Sequence, residues 1–183
     1  MTIIQPGGGT SSGGAAILFT STLGGDAATI DSGAGGFTTS GACLGIYYRA
    51  RTDEAVVQST VIVRVNADSG ANYDRVFVQG ANATAAANNA VGQTSWTATV
   101  AGASDTAGLF TAGDISLFAY GGTANPKVGR LIVQNPSQTA ANTYVIVYAL
   151  GYRSATAISR VSITNGGGTV LKAGSQLTVV QLF

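Results

Sequence analysis

The polar residues of the chain concentrate in one stretch, NADSGANYDR, at positions 66–75. Oxygens at every second position around a glycine, here Gly70, are typical of a calcium loop, which closes with a bidentate glutamate. Glu54, outside the stretch, is the only glutamate of the chain. A turn is the competing interpretation, with Asp and Asn bonding their own backbone and Gly70 at positive φ, and we favour it. The four carboxylate and amide candidates are Asn66, Asp68, Asn72 and Asp74.

Other chemistry is restricted by the absence of histidine from the sequence. This absence excludes Ser-His-Asp and Cys-His catalysis and removes the commonest transition-metal ligand. Catalysis by two carboxylates remains, as in glycoside hydrolysis, but the adjacent Asp53 and Glu54 would point to opposite faces of a strand. We therefore expect no enzyme, no cofactor and no metal. The remaining acids stand singly among small residues: Asp26, Asp31, Asp68, Asp74, Asp105 and Asp114.

Cys43 and the glycine runs also lack a reactive setting. Cys43 is the only cysteine, so no disulfide can form within the chain, and the surrounding GACLGIYY favours a small buried residue. The runs PGGG and NGGGT lack the lysine and the following helix of a phosphate loop. We interpret them as a linker and a turn.

The charge pattern argues against a nucleic-acid partner. Charged residues make up 9% of the 183 positions, nine basic and eight acidic, against roughly 25% in an average protein. They are scattered singly, so no basic stripe is present to neutralise phosphates. The initial MTIIQPGGG does not resemble a signal peptide, and no apolar run approaches the ~20 residues of a membrane helix. We expect synthesis in a cytosol-like compartment and no membrane partner.

The chain divides into a loose beginning and a strand-rich remainder. Residues 1–14 contain a proline and a run of glycine and serine, which predicts a flexible arm with an apolar tip at Ile3 and Ile4. Residues 23–41 are rich in glycine and predict a long surface loop or a second arm. Residues 15–183 are expected to form one domain.

Strand patterns recur from Cys43 onward, bounded by Gly, Asn and Pro. In STVIVRVN the residues Val61, Val63 and Val65 share one face, which is the period of two of a half-buried strand. Only residues 82–92, NATAAANNAVG, predict a short helix or an ordered excursion. Roughly ten strands without helical patterns between them favour an antiparallel sandwich or barrel, with a jelly roll the leading choice.

Aromatic and basic side chains within these strands have structural interpretations. Trp96, in TSWTATV, is expected in the core or at a subunit interface. Tyr144 and Tyr148 alternate with apolar residues on one face and are also predicted to be core. Arg49 and Arg51, in YYRAR, are expected on one face of a strand, as a solvated face or a contact for an acidic partner.

Three segments resemble landmarks of a jelly-roll domain found in virion proteins of tailed bacteriophages. The family pattern has an Asn and Asp loop with a tyrosine, a strand leading to Gly, Thr and Lys, an Ala and Ile strand, and a final Gly-Ser hairpin. In this chain the matching positions are 66–74, 120–127, 157–163 and 174–175. Val161 stands at the apolar position of the third segment. The resemblance covers roughly residues 56–183. The segments are NADSGANYDRVFVQG, DISLFAYGGTANPKVGRLIVQN and AISRVSITNGGGTVLKAGSQLTVVQLF.

Two departures leave the subgroup of the family open. The chain ends in VVQLF where the family often has a Leu, Tyr, Gly and Ile run, and Tyr152 stands where a tryptophan commonly precedes the Ala and Ile strand. Both changes keep bulk and strand character. The fold that the resemblance implies is therefore unaffected.

The resemblance implies a homotrimer on the virion and two alternative roles. A capsid decoration protein, which we favour, would bind the outer head surface and contact the major capsid protein and neighbouring decoration subunits. The chain is short and has no stalk or heptad, which fits this role. Its arm would contact the capsid through Ile3, Ile4, Gln5 and Pro6. A receptor-binding tip of a tail or head fibre would instead stack host glycans on Trp96, Tyr73, Tyr120 and Tyr152.

Overall fold

A computed structural model of the chain describes residues 15–37, 41–81, 84–135 and 143–182. Within these residues the chain is all-β, with two antiparallel sheets packed against each other, so the predicted sandwich is confirmed. Jelly-roll topology stays a prediction. The strands are β1 (Ala16–Thr22), β2 (Thr29–Asp31), β3 (Cys43–Ala50), β4 (Gln58–Val65), β5 (Tyr73–Ala81), β6 (Thr84–Gln93), β7 (Trp96–Ala101), β8 (Thr111–Phe118), β9 (Lys127–Asn135), β10 (Tyr144–Tyr152), β11 (Val161–Asn165) and β12 (Gln176–Gln181).

The two sheets differ in width. The large sheet has the order β1-β12-β3-β8-β9-β10-β5-β6, and the small sheet has the order β2-β11-β4-β7. β10 lies inside the large sheet, where all nine of its residues are paired with β5 on one side and with β9 on the other. β6 and β1 are the edges of the large sheet.

The core lies between the sheets and follows the predicted period of two. Val61, Val63 and Val65 of β4 are fully buried, whereas Ile62 and Arg64 between them are half-buried. β10 buries Tyr144, Tyr148 and three further residues with the same spacing, which confirms the core prediction for both tyrosines. Removing one such side chain from water stabilises the fold by about 1.5–3 kcal/mol. Cys43 is buried, as expected.

Two segments of the described chain differ from the sequence prediction. Residues 84–93 form strand β6 rather than a short helix, because their backbone pairs with β5 over its length. Residues 23–37 are not a second arm, since β2 pairs Ile30 with Ile163 of β11 and Ile30 and Phe37 are buried. The arm predicted at 1–14 lies outside the described residues.

Arg51 was expected beside Arg49 on a solvated face, and this prediction is wrong for Arg51. Its side chain is buried and donates hydrogen bonds to four backbone carbonyls of the loop between β7 and β8. Arg49 is exposed and its guanidinium lies 4.6 Å from the centroid of the Phe110 ring. β3 ends at Ala50, so the strand alternation on which the prediction depended stops before Arg51. The four carbonyls belong to Ala103, Asp105, Thr106 and Leu109.

Candidate functional site

The loop after β4 turns at Asn66 and Ala67 rather than at Gly70. Both residues have φ of 54°, and the Asp68 N–H donates to Val65 O at 3.0 Å. Two successive positive φ values closed by this bond are those of a type I′ turn. Gly70 does not have a positive φ, so that part of the prediction is wrong. Asparagine tolerates this conformation better than most residues, which explains Asn66 at the first position.

The side chain of Asn66 is directed away from the other three candidates for a cation. Its Nδ2 donates to Ala157 O at 2.8 Å, and its Oδ1 accepts from the Ser159 N–H at 2.9 Å. These bonds tie the turn to the segment before β11. The amide oxygen of Asn66 is therefore occupied by a backbone donor.

Asp68 holds the rest of the loop together. Its Oδ1 accepts from the Gly70 N–H at 2.7 Å, and its Oδ2 accepts from Asn72 Nδ2 and from the Tyr152 hydroxyl, each at 2.8 Å. Partial burial raises the pKa of Asp68, but these three donors outweigh the burial and hold the pKa below its ordinary value. The carboxylate is thus stabilised in its charged form by protein donors.

Asp74, the fourth candidate, links β5 to two other segments. Its Oδ2 pairs with Arg153 Nε at 2.8 Å, and its Oδ1 accepts from the Gly92 N–H at 2.8 Å. The hydrogen bond with Arg153 is the main reason that the pKa of Asp74 is lowered. Gly92 has φ of 61°, a conformation that favours glycine.

The loop therefore has the geometry of a bonded turn rather than that of a calcium site. Both oxygens of Asp68 and of Asp74, and the oxygen of Asn66, accept hydrogen bonds from protein donors. Among the residues that the structure describes, no group of three or more acidic or cysteine side chains is placed to hold a metal ion. The turn interpretation is the one that the geometry supports.

The aromatic residues proposed for glycan stacking lie in the core. Tyr73, Trp96 and Tyr152 form one cluster, with the Tyr73 ring centroid 5.0 Å from Trp96 and 5.1 Å from Tyr152. Trp96 Nε1 donates to Asp74 O at 3.1 Å and to Gly151 O at 3.2 Å, which fixes the indole against the paired strands β5 and β10. All three side chains are buried, so none offers a ring face to a sugar. The core alternative predicted for Trp96 is confirmed.

Tyr120, the fourth aromatic candidate, is buried as well. Its hydroxyl accepts from the Gly41 N–H at 3.3 Å and lies 3.4 Å from Gln181 Oε1. Burial raises the pKa of the Tyr120 hydroxyl. Tyr120 therefore joins the segment before β3 to the end of β12 and is not available to a ligand.

Asp53 and Glu54, the adjacent acids, lie beyond the end of β3 and do not point to opposite faces of a strand. Asp53 Oδ1 accepts from the Thr169 and Val170 N–H groups at 2.8 and 2.9 Å. Glu54 Oε2 accepts from the Ser59 hydroxyl at 2.6 Å. The hydrogen bond from the Thr169 hydroxyl, followed by those from the two N–H groups, lowers the pKa of Asp53 to about 2. A general acid needs the opposite shift, so Asp53 does not fit that role.

An exposed apolar surface on the large sheet is the feature that the sequence analysis missed. The outer face of β5, β10 and β9 carries five exposed valines where an antiparallel sheet facing water usually has polar residues. The signal was in the sequence, because YDRVFVQG and TYVIVYAL are apolar at successive positions and not only at alternate ones. We call this surface the valine face. It consists of Val76, Val78, Val128, Val145 and Val147.

Strand register brings most of the valine face together. Val147 is paired with Val78 on one side and with Ile132 on the other, and Val145 is paired with Gly80. Residues paired across an antiparallel sheet have Cβ atoms about 5 Å apart, so their side chains touch. Four of the valines thus lie together with Ile132 across β5, β10 and β9, while the exposed Arg130 separates Val128 from Ile132 along β9.

Comparison of the chain with protein-family models, with curated proteins and with solved structures finds no match. The described part of the chain also contains no helix long and apolar enough to cross a membrane.

Proposed function

We propose that the chain is a structural protein of a bacteriophage virion, a capsid decoration protein with a jelly-roll topology. It would bind the outer surface of the head and stabilise contacts between major capsid subunits. One observation carries most of the proposal. The carboxylates of Asp53, Glu54, Asp68 and Asp74 accept hydrogen bonds within the fold, while the surface presents an apolar sheet face. Such a molecule is suited to contact with other proteins.

The role would be mechanical rather than catalytic. Each copy would add modest apolar and hydrogen-bonded contacts across a joint between capsid subunits. A homotrimer would engage several such contacts at once, and linked contacts are hard to lose together. The low charge of the chain, 17 charged residues of 183, allows many copies to sit close together without strong repulsion.

The arm at residues 1–14 would supply the attachment to the shell. It precedes β1, an edge strand of the large sheet, and its first residues include the apolar pair Ile3 and Ile4 followed by Gln5 and Pro6. An apolar tip on a glycine-rich segment can reach a neighbouring subunit and bury its side chains there. Major capsid protein and neighbouring decoration subunits would be the partners.

The alternative role, a receptor-binding tip, loses its candidate residues. Trp96, Tyr73, Tyr120 and Tyr152 are at most 2% exposed, and a buried ring cannot stack on a sugar. These four residues therefore cannot serve that role.

The decisive measurement is the copy number of the chain in purified virions, by quantitative mass spectrometry against the major capsid protein. We expect a copy number of the same order as that of the capsid protein. A handful of copies per particle, or none, would overturn the decoration role. The first of these results would indicate a tail or vertex component.

A further inference from the structure

The valine face exposes several branched apolar side chains on the outer side of a sheet. Its five side chains are between 41% and 61% exposed. Together they present roughly 400 Å², a value within the range of the largest apolar patch on a typical monomer. They are not scattered singly, because register places Val78, Val147 and Ile132 side by side across three strands.

The surroundings of the valine face extend it further. Ala85 and Ala87 of β6 are paired with Gly80 and Val78, and both alanines are exposed. On the other side Phe118 of β8, paired with Val128, is 46% exposed. These neighbours bring the surface towards the roughly 800 Å² that each partner buries in a standard protein interface.

The edge strand next to the valine face, β6, lacks three of the usual devices that keep another chain away. β6 is ten residues long, carries no charged residue and no proline, and is exposed along most of its length. Edge strands of monomeric proteins are usually protected by charge, proline, shortness or a cover. β6 lacks the first three of these protections.

The sparse charges around the valine face fit a second copy of the same chain. The exposed Arg130 of β9 lies within the face, two residues from Val128, and the half-buried Asp114 of β8 is paired with Ile132 beside it, so the face holds one charge of each sign. A strongly acidic or basic partner would find no field of opposite sign there, whereas two copies with a net charge of +1 each are hardly repelled. Interfaces between identical chains are more apolar than the rest of the protein surface, and the valine face is mostly apolar.

We infer that the valine face is the surface through which one copy of this chain binds a second copy. The proposed function includes a homo-oligomer, and the inference assigns the surface through which its copies bind. In this respect the inference rests on the proposed function. It concerns the purified protein alone, so it is tested without a capsid.

The test is sedimentation equilibrium of the purified full chain and of two matched lysine variants. Val147→Lys places a charge at the centre of the face, and Val56→Lys places the same charge on a valine of similar exposure, 37% against 41%, in the segment between β3 and β4. We expect the wild type and Val56→Lys to form the same oligomer. Val147→Lys should associate roughly a hundredfold more weakly, because an unpaired charge would be buried at the interface.

A second variant guards against misfolding of Val147→Lys. This double variant carries Val78→Thr and Val147→Thr together. It keeps the shape and strand preference of both side chains and replaces one methyl group of each by a hydroxyl. Circular dichroism melting should show that it stays folded. Its association should be roughly tenfold weaker than that of the wild type, because the burial of two methyl groups is replaced by that of two hydroxyls.

Three results would overturn the inference. One is a wild-type chain that is monomeric at its highest soluble concentration, and another is Val147→Lys or the threonine variant assembling as tightly as Val56→Lys. The third is a monomeric full chain that assembles only after deletion of residues 1–14, which would assign the face to the arm. If the chain is a monomer but is present in many copies on virions, this inference is overturned and the decoration role is kept. If the chain forms the oligomer but is absent from virions, the decoration role is overturned and this inference is kept.

Discussion

The hydroxyl of Tyr152, at the end of β10, donates a 2.8 Å hydrogen bond to Oδ2 of Asp68 in the loop after β4. This bond joins the large sheet to a loop that leaves the small sheet. Burial raises the pKa of Tyr152 and the bond to Asp68 raises it further, so the hydroxyl keeps its proton. A side chain of the core therefore helps to hold the loop.

Removal of the hydroxyl tests this relationship. Tyr152→Phe keeps the ring in the cluster with Tyr73 but takes one of two donors from Asp68 Oδ2, so we expect a loss of about 1–2 kcal/mol in the free energy of unfolding. Urea denaturation measures it. Tyr47→Phe removes a hydroxyl from an exposed tyrosine and should change the stability by less than about 0.5 kcal/mol. Equal effects of the two substitutions would show that the bond does not hold the loop.

Calcium should leave the protein unchanged. The carboxylates of Asp68 and Asp74 already accept hydrogen bonds from protein donors, so a cation would have to displace those donors. We expect no heat in titration calorimetry and the same melting temperature with and without millimolar calcium. A calcium-dependent rise in the melting temperature that disappears in Asp68→Asn would restore the cation site.

Arg51 organises the loop between β7 and β8, and its replacement should be costly. Its two terminal nitrogens satisfy four carbonyls, a geometry that a lysine ammonium cannot reproduce from one nitrogen. Arg51→Lys is expected to lower the free energy of unfolding by about 2–4 kcal/mol. Arg49→Lys, two residues away and exposed, should cost less than about 1 kcal/mol. Chemical denaturation of both variants compares them, and similar costs would contradict the assignment.

Acid should destabilise the fold in a defined range. The pKa of Asp53 is lowered from 3.8 to about 2 in the folded chain, first by the Thr169 hydroxyl and then by N–H donors. The unfolded chain therefore binds the proton more tightly, so the stabilisation is present above pH 3.8 and is lost as pH falls towards about 2. Asp31 shifts in the same direction through its hydrogen bonds with Arg160.

The stability of Asp53→Asn should accordingly fall less steeply across that range than the stability of the wild type. Denaturation curves at a series of pH values give both slopes. Parallel slopes would mean that the bonds to Thr169 and Val170 contribute no pH dependence.

Deletion of residues 1–14 should separate folding from attachment. β1 begins at Ala16, so the truncated chain keeps every described strand and should melt within a few degrees of the full chain. Its binding to capsid shells that lack the protein is expected to be roughly tenfold weaker or more, because the apolar tip is lost. Co-sedimentation with such shells measures the binding. Undiminished attachment would remove the arm from the proposed function.

The strands that bury one face were predictable, and the details that depend on distant neighbours were not. Val61, Val63 and Val65 show the period of two because the core selects one face of β4. β6 is rich in alanine and asparagine, which are depleted in strands, and its state is set by pairing with β5. The burial of Arg51 depends on carbonyls more than 50 residues away, which no local pattern reveals.

The turn at 66–74 was predicted from the sequence, but the residues at which the chain turns and the exposed valine face were not. The sequence favours a turn at 66–74 and places Trp96 in the core or at a subunit interface, but it suggests the positive φ at Gly70. The left-handed residues are Asn66 and Ala67, because the turn closes directly after β4. The valine face was not proposed, since an apolar run is compatible with burial on both sides and only the fold shows which side is open.

β10 is apolar on both of its faces, and this limits how the chain can specify its register. A slip by one residue would exchange the inward and outward sets, and polarity would hardly oppose that exchange. Size opposes it instead, because tyrosines at 144, 148 and 152 fill the interior, whereas the outward residues are two valines, an alanine and a glycine. Correct pairing of β10 therefore depends on volume, so substitutions that make its two faces equal in bulk should produce misregistered, aggregation-prone chains before they produce unfolded ones.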